Sequence, residues 1–270
     1  MGWQEKVLTW RLINTKQNNA AMNMAIDEAM LLTQKASRQP TLRIYDWLHP
    51  AFSFGYFQRI SDEVDVSACD AHGIELVRRM TGGGTVIHGW DVTYTIIVPH
   101  GSGMFPKDIS AAYCAISDGL TSGLQRLGVD AAYQIEKPIA GNAPNICLTN
   151  PAQYDTLLNG KKIAGVSQRR NQAGVMYQGY IALDLPTPDV LVLASRQVSF
   201  DRVAAGKSTA INQCRSDPIR RQQLEDAVAV GFHEMLGVQF VEAEPSPEEI
   251  ETAESLAQTK YGCAEWNFRR

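Results

Sequence analysis

The chain has 270 residues, of which 44% are hydrophobic and 20% are charged, and its formal net charge is −4. This length and composition are typical of a globular protein with a substantial core. The negative charge argues against nucleic acid as the main partner, because phosphate binding needs a strongly basic surface. No apolar run reaches the length of a membrane span, so we expect no membrane partner either.

Five cysteines are scattered along the chain without a C-x-x-C pair. This spacing argues against a zinc ribbon, a thioredoxin-like site or a disulfide framework. The N-terminus also lacks the continuous apolar core of a signal peptide. We therefore expect a cytoplasmic protein in a reducing compartment, without a bound metal.

The first half of the chain predicts a helix, then a series of strands, then a second helix. Apolar residues at helical spacing predict a helix over about residues 20–35. Runs rich in aromatic and β-branched residues then predict the strands of a sheet. They are TLRIYDW (41–47), AFSFGYF (51–57), ELVRR (75–79), TVIHG (85–89) and VTYTIIVP (92–99). A further apolar stripe predicts a helix over about 110–127 that ends at Gly128.

The second half predicts a hairpin and then helices. Asn159-Gly160 between two apolar runs is the strongest short signal for a β-hairpin, and GVMYQGYIALDL (174–185) predicts another strand. An amphipathic run ends at Gly237, and Ser246-Pro247-Glu248-Glu249 has the pattern of a capping box that opens a terminal helix. This mixture of strands and helices indicates an α+β (mixed α/β) fold.

Residues 78–89 read RRMTGGGTVIHG, with three consecutive glycines between an arginine pair and a histidine. Such a run marks either a tight hairpin or bulge, or the close approach of a ligand. The flanking residues favour a ligand, because Arg78, Arg79, Thr81 and His88 place hydrogen-bonding groups beside a bare backbone. We therefore expect a flat or elongated ligand to lie against this stretch.

Two residues near the predicted hairpin are candidates for chemistry. Cys147 lies in a polar, proline-bounded stretch just before the hairpin, although a lone cysteine is more often an inert, buried residue. Lys161 and Lys162 follow the turn, and strand alternation sends their side chains to opposite faces. If Lys161 is solvated, Lys162 points to the covered face, where a lysine is either paired with an anion or has a lowered pKa.

The stretch AGKST (205–209) resembles the end of a phosphate-binding loop. That motif requires a glycine five residues before the Gly-Lys pair, and Asp201 occupies this position. A carboxylate there would repel phosphate. We interpret the stretch as a polar loop.

RRMTGGGTVIHG resembles the signature of the lipoate–protein ligase A and octanoyltransferase family, which shares its catalytic fold with biotin protein ligases. Five further segments are similar to other motifs of that family: NMAIDEA (23–29), GYFQ (55–58), the segment 155–169 around the hairpin, KY (260–261) and EWN (265–267). One position departs, because relatives often have His-Gly where this chain has Gln178-Gly179. The resemblance implies a biotin/lipoate protein ligase fold, with a mostly antiparallel sheet flanked by helices. It also implies a single catalytic domain over residues 1–270, with the helices from about 187 to 270 packed on it.

Within this family the sequence is most similar to the cysteine-dependent octanoyltransferases (LipM type), whose nucleophile occupies the position of Cys147. The resemblance implies that an octanoyl group passes from acyl carrier protein to Cys147 as a thioester. It then passes to a lysine of an apo lipoyl domain such as glycine-cleavage H protein, with Lys162 managing the protons. The residues implied to contact the substrate are Arg78, Arg79, Thr81, Gly82, Gly83, Gly84, His88 and Gly165. Of these, we expect the two arginines, the threonine and the histidine around the reacting end.

Three alternatives remain open. The first is an ATP-dependent lipoate–protein ligase, which would use ATP and magnesium and in which Cys147 would have no catalytic role. The octanoyltransferase, by contrast, needs no cofactor. An amidotransferase (LipL type) would move octanoyl from H protein to other lipoyl domains. A non-catalytic acyl-binding or carrier-docking module would bind its ligand without a covalent adduct.

Overall fold

A computed structural model describes residues 8–136, 152–194 and 207–269, so Cys147 lies outside the described residues. The strands in these ranges are β1 (Leu8–Asn18), β2 (Thr41–Trp47), β3 (Ala51–Phe54), β4 (Glu75–Arg78), β5 (Val86–His88), β6 (Asp91–Pro99), β7 (Ala131–Tyr133), β8 (Thr156–Leu158), β9 (Lys161–Arg170), β10 (Gly174–Ala182) and β11 (Val238–Glu242). The helices are α1 (Ala20–Ser37), α2 (Ile60–Glu63), α3 (Val66–Ala71), α4 (Ile109–Arg126), α5 (Pro188–Leu193), α6 (Arg221–Leu236), α7 (Pro247–Leu256) and α8 (Ala264–Asn267).

The described strands form a large sheet and a small one. The large sheet has the order β11-β1-β2-β6-β10-β9-β8-β7, and only the pairs that β1 makes with β11 and β2 are parallel. The mostly antiparallel sheet flanked by helices is therefore confirmed. The small sheet has the order β4-β3-β5. The five runs between residues 41 and 99 thus divide between two sheets, because strand propensity is local whereas pairing is decided by tertiary contacts.

Helices cover both faces of the large sheet. On one face, Ile116 and Leu120 of α4 and Val228 and Phe232 of α6 are buried in a core with residues of β2, β6 and β10. On the other face, α1 is buried together with Ala253 of α7. The apolar stripe predicted for α4 is therefore the face that α4 packs on the sheet.

The predicted turns and caps are confirmed. Asn159 and Gly160 both have positive φ angles, 52° and 73°, as a two-residue hairpin turn requires. Gly128 and Gly237 follow the ends of α4 and α6 with φ angles of 68° and 61°. Ser246 opens α7, with Glu249 completing the capping box. These signals are local, and the sequence alone was sufficient to find them.

The two strands at the far edge of the large sheet were not predicted. β1 has the mixed sequence LTWRLINTKQN, and β11 is only five residues long with several exposed side chains. Their pairing joins the N-terminal and C-terminal parts of the chain. A bidentate ion pair between Arg11 and Glu249, with N–O distances of 2.9 and 2.6 Å, supports the same junction.

Candidate active site

A cavity of about 360 Å³ is lined by residues of both sheets. Its floor follows one row across the large sheet, in which Gly165 of β9 pairs with Tyr180 of β10, Tyr180 with Thr93 of β6, and Thr93 with Tyr45 of β2. Neighbouring strands are about 4.8 Å apart, so the row measures about 14 Å. The cavity is therefore an elongated slot that crosses four strands.

The β2 end of the slot is lined by buried aromatic side chains. Trp47 stacks on the His88 ring with a centroid distance of 3.9 Å and an interplanar angle of 15°. Its indole Nε1 donates to Thr93 Oγ1 at 2.8 Å, which fixes the ring in place. Met24 and Tyr45 line the same part of the cavity. This end suits an apolar group.

The β9 end of the slot contains a buried ion pair. Lys162 Nζ is 2.6 Å from Asp155 Oδ2, and the two side chains are 3% and 6% exposed. Lys161 is exposed and Lys162 is buried, as strand alternation predicted, and of the two alternatives for the covered lysine the structure shows the anionic partner. Burial raises the pKa of Asp155 above its ordinary value, although the contact with Lys162 opposes this shift.

A β-bulge brings Lys162 to the face that lines the slot. Leu157 pairs with Lys162 and Thr156 with Ala164, so Ile163 is an extra residue in β9. Because of this residue, Lys162 and Gly165 share one face of the strand although they are three positions apart. A Cβ atom on Gly165 would be 2.9 Å from Lys162 Nζ, so the glycine leaves room for the amine.

The glycine run forms the loop between β4 and β5, and all three glycines line the slot. Of the three, Gly83 alone has a positive φ angle, 95°. The loop packs so closely on β3 that a Cβ atom on Gly55 would be 1.9 Å from the Gly83 carbonyl oxygen. Arg79 holds the loop by donating to the carbonyls of Gly82 at 3.1 Å and Gly84 at 2.9 Å. The positive φ angle of Gly83 supports the interpretation of the run as a tight turn, whereas the close approach of a ligand stays a prediction.

Ser53, His88 and Asp91 are connected in the order of a hydrolase triad. His88 Nε2 is 2.6 Å from Ser53 Oγ, and His88 Nδ1 is 2.9 Å from Asp91 Oδ2. Ser53 is fully buried, and its Oγ also accepts a hydrogen bond from Arg79 at 2.7 Å. We therefore infer that these three hydrogen-bonded residues position Arg79, and that Ser53 is not a nucleophile. Burial alone would raise the pKa of Asp91, but its contacts with His88 and Thr93 lower it overall. Through its stacking on Trp47, His88 lies at the β2 end of the slot, whereas the ion pair of Lys162 with Asp155 lies at the β9 end.

Arg78 and Thr81 do not line the slot. The Arg78 guanidinium donates to the carbonyls of Gln58 at 2.6 Å and Asn267 at 2.8 Å, and so joins β4 to the C-terminal segment. Thr81 Oγ1 donates to Gln178 Oε1 at 2.8 Å. Arg78 and Arg79 are consecutive in an extended chain, so their side chains diverge and only Arg79 reaches the slot. The predicted site residues that line it are Arg79, Gly82, Gly83, Gly84, His88, Lys162 and Gly165.

Gln178, the position that departs from the family motif, completes a wall of the slot. Its Nε2 donates to Asp27 Oδ2 at 2.7 Å. Asp27 is fully buried and also receives hydrogen bonds from Arg43 at 2.6 Å and from the Tyr45 hydroxyl at 3.1 Å. The sequence did not point to Tyr45, Trp47 or Asp155, which line the slot, or to Asp27, which supports Gln178 from behind it. Asp27 and Asp155 do lie within the family-like segments, which is the signal that could have found them.

The end of the AGKST stretch lies beside Lys162. The Lys162 N–H donates to the Lys207 carbonyl at 2.8 Å, and the Thr209 N–H donates to the Lys162 carbonyl at 3.0 Å. This pairing is strand-like and fixes the backbone of Lys162. Within residues 8–136, 152–194 and 207–269, no group of three His, Cys, Asp or Glu side chains could hold a metal ion. None of the helices in the described part of the chain combines the length and apolar character needed to cross a membrane.

Comparison with known proteins relates the whole chain to lipoate metabolism. The octanoyltransferase LipM of Kyrpidia tusciae is 37% identical over 274 residues, which cover 97% of this chain and 99% of that protein. The octanoyltransferase LipM of Bacillus subtilis is 32% identical with the same coverage. A crystal structure of lipoate-protein ligase A bound with ATP superposes with a TM-score of 0.82 at 24% identity, covering 97% of this chain and 99% of that one.

A second structural neighbour is Ta0514 of T. acidophilum with bound lipoic acid, with a TM-score of 0.81, 23% identity, and coverage of 97% of this chain and 99% of that one. These two structures establish the shared fold. Residues 19–232 also match the family described as the lipoyl protein ligase A/B catalytic domain. The chain therefore belongs to the lipoyl protein ligase A/B catalytic domain family.

Proposed function

We propose that the protein is an octanoyltransferase of lipoate biosynthesis, which moves octanoyl from acyl carrier protein to the lipoyl-domain lysine of an acceptor such as glycine-cleavage H protein. The proposal depends mainly on the position of Lys162, a buried amine at one end of an elongated slot whose other end is lined by buried aromatic side chains. Relatives named octanoyltransferase LipM, aligned over 97% of the chain, support the reaction class.

The slot suits a saturated acyl chain. An acyl group that lies along the row from Gly165 to Tyr45 places its carbonyl near Lys162 and its tail near Trp47. Burying the methylenes of an octanoyl group contributes about 5 kcal/mol, at roughly 0.8 kcal/mol each. The glycine loop then covers the chain with backbone rather than with side chains.

Cys147 is the proposed nucleophile. It precedes Ala152, which lines the slot, by five residues, and five residues of extended chain span at most about 18 Å. A free thiol has a pKa of about 8.5 and is only a few per cent thiolate at neutral pH, so it needs a nearby cation. The ammonium of Lys162 supplies that charge. The cycle is then ping-pong, with an octanoyl thioester on Cys147 between the two half-reactions.

An assay with octanoyl-carrier protein as donor, H protein as acceptor and no ATP tests the proposal. We expect transfer by the wild type and none by Cys147→Ser or Lys162→Ala. Product that forms only with free lipoate, ATP and magnesium would instead identify a ligase. Faster transfer from octanoyl-H protein to another lipoyl domain than from the carrier would identify an amidotransferase. Binding of the donor without any product would leave only the acyl-binding module.

A further inference from the structure

Asp155 is buried at the reacting end of the slot, and acyl binding does not explain its charge. Its Oδ2 atom is 2.6 Å from Lys162 Nζ and accepts the N–H of Ala152 at 2.5 Å. Both side chains of the pair are almost fully removed from water. A charge in such a place is costly unless a partner or a function compensates for it.

Backbone hydrogen bonds fix the main chain of both residues of the ion pair, Asp155 and Lys162. The Gln134 N–H donates to the Asp155 carbonyl at 2.9 Å, and the Tyr154 N–H donates to the Gln134 carbonyl at 2.7 Å, which extends the pairing of β7 with β8. The backbone of Lys162 is held by Lys207 and Thr209, as described above. The contact is thus built into the sheet, unlike a chance pairing of two flexible side chains.

We propose that Asp155 is a positioning residue that makes Lys162 an effective base for the second half-reaction, the transfer of the acyl group to the acceptor amine. This inference rests on the proposed function above. The Asp155 carboxylate would act differently in the two half-reactions, and this difference makes the inference testable.

In the first half-reaction the Cys147 thiolate attacks the donor thioester carbonyl and the donor C–S bond breaks. The leaving thiolate takes a proton from the Lys162 ammonium, which becomes a neutral amine beside the buried Asp155 carboxylate. In the second half-reaction the acceptor amine attacks the acyl-Cys147 carbonyl and gives a proton to Lys162. The bond from the acyl carbon to Cys147 then breaks, which restores the thiolate and the ammonium.

Asp155 therefore acts unequally on the two steps. A nearby anion stabilises the ammonium form of Lys162, so it opposes proton donation in the first step and promotes proton uptake in the second. A salt bridge with a purely structural role would affect the two steps alike. Asp155→Asn keeps the shape of the side chain and removes its charge.

Rapid-quench intact-mass measurements with octanoyl-carrier protein and H protein follow the two steps separately. For Asp155→Asn we expect the transfer rate to fall by about tenfold or more, because Lys162 becomes a weaker base, while the acylation rate stays unchanged or rises, because proton donation is no longer opposed. The octanoyl-enzyme then accumulates during turnover. Asp155→Glu, which retains the charge, should recover part of the transfer rate. Lys161→Ala, in the exposed lysine of the same hairpin, should change neither rate.

Two results overturn the inference: an equal loss of both rates in Asp155→Asn, or a loss confined to acylation. If Asp155→Asn does not fold, Asp155→Ser carries the same expectation, because it leaves space for water beside Lys162. A wild-type protein that transfers octanoyl without any adduct on Cys147 would instead overturn the proposed function, so the two failures are distinguishable.

Discussion

Lys162 and Gly165 share one face of β9, and a methyl group on Gly165 would lie 2.9 Å from the Lys162 amine and 3.0 Å from Asp155 Oδ1. Gly165→Ala should therefore displace the ion pair without unfolding the sheet. A misplacement of about 1 Å at a reacting group can cost about 10²-fold in rate, and we expect a loss of that order. Steady-state transfer kinetics, combined with urea unfolding as a check on folding, measure it. A variant with the wild-type rate would show that the position of the amine is not critical.

The stacking of Trp47 on His88 predicts how the slot limits chain length. Trp47→Leu replaces a large side chain at the β2 end of the slot by a smaller one, so longer acyl chains should fit. One methylene in an apolar pocket is worth about 1–3 kcal/mol, so the decanoyl-to-octanoyl ratio of kcat/KM should rise by at least about tenfold. Competition between the two donors measures this ratio. Trp90→Leu, in a half-buried tryptophan that does not line the slot, should leave the ratio unchanged.

Gln178 joins Thr81 to Asp27, and its loss should destabilise the fold. Gln178→Leu removes the acceptor of the Thr81 hydroxyl and one donor to the buried Asp27 carboxylate. Leaving such groups unpaired costs about 1–3 kcal/mol in the free energy of unfolding. Gln168→Leu on the neighbouring strand is the matched control, because Gln168 Oε1 has no hydrogen-bond partner among the described residues. Equal unfolding free energies for the two variants in urea would contradict this account.

The lowered pKa of Glu249 predicts that the folded protein loses stability in acid. Burial alone would raise the pKa of Glu249, but its hydrogen bonds with Arg11 and Ser246 lower it overall. A carboxylate whose pKa is lower in the folded state stabilises the fold at pH values above its unfolded pKa. This contribution is lost as the pH falls through the folded pKa. The free energy of unfolding should therefore fall on acidification below about pH 4.3, the ordinary value for glutamate.

Glu249→Gln tests that assignment. It should lower stability at neutral pH and flatten the acid limb of the stability curve, because its amide does not titrate. Urea unfolding of both proteins between neutral pH and pH 3 measures the difference. Parallel curves for the two proteins would show that other carboxylates cause the acid sensitivity.

The features that the sequence predicted are those that depend on neighbours in the chain. The turn at Asn159-Gly160 and the stops at Gly128 and Gly237 need only the conformational preferences of one or two residues. The separation of Lys161 from Lys162 needs only strand alternation. The family-like motifs identified seven of the twenty described residues that line the slot.

What the sequence did not predict depends on contacts between distant parts of the chain. Arg78 was expected at the substrate, but its partners include Asn267, far away in the sequence. His88 was expected beside the group that reacts, and the structure stacks it on Trp47, at the opposite end of the slot from Lys162. The bulge at Ile163 leaves no signal in the residue pattern. Tertiary contacts of this kind decide where a side chain points.

The central claim is that Cys147 holds the octanoyl group between the two half-reactions, and intact-mass spectrometry tests it most directly. Wild-type protein mixed with octanoyl-carrier protein, without acceptor or ATP, should gain one octanoyl increment on the peptide that contains Cys147. Hydroxylamine should remove the increment, and added H protein should take it up as an amide. Transfer to H protein without any increment on Cys147, or full transfer by Cys147→Ser, would contradict the account.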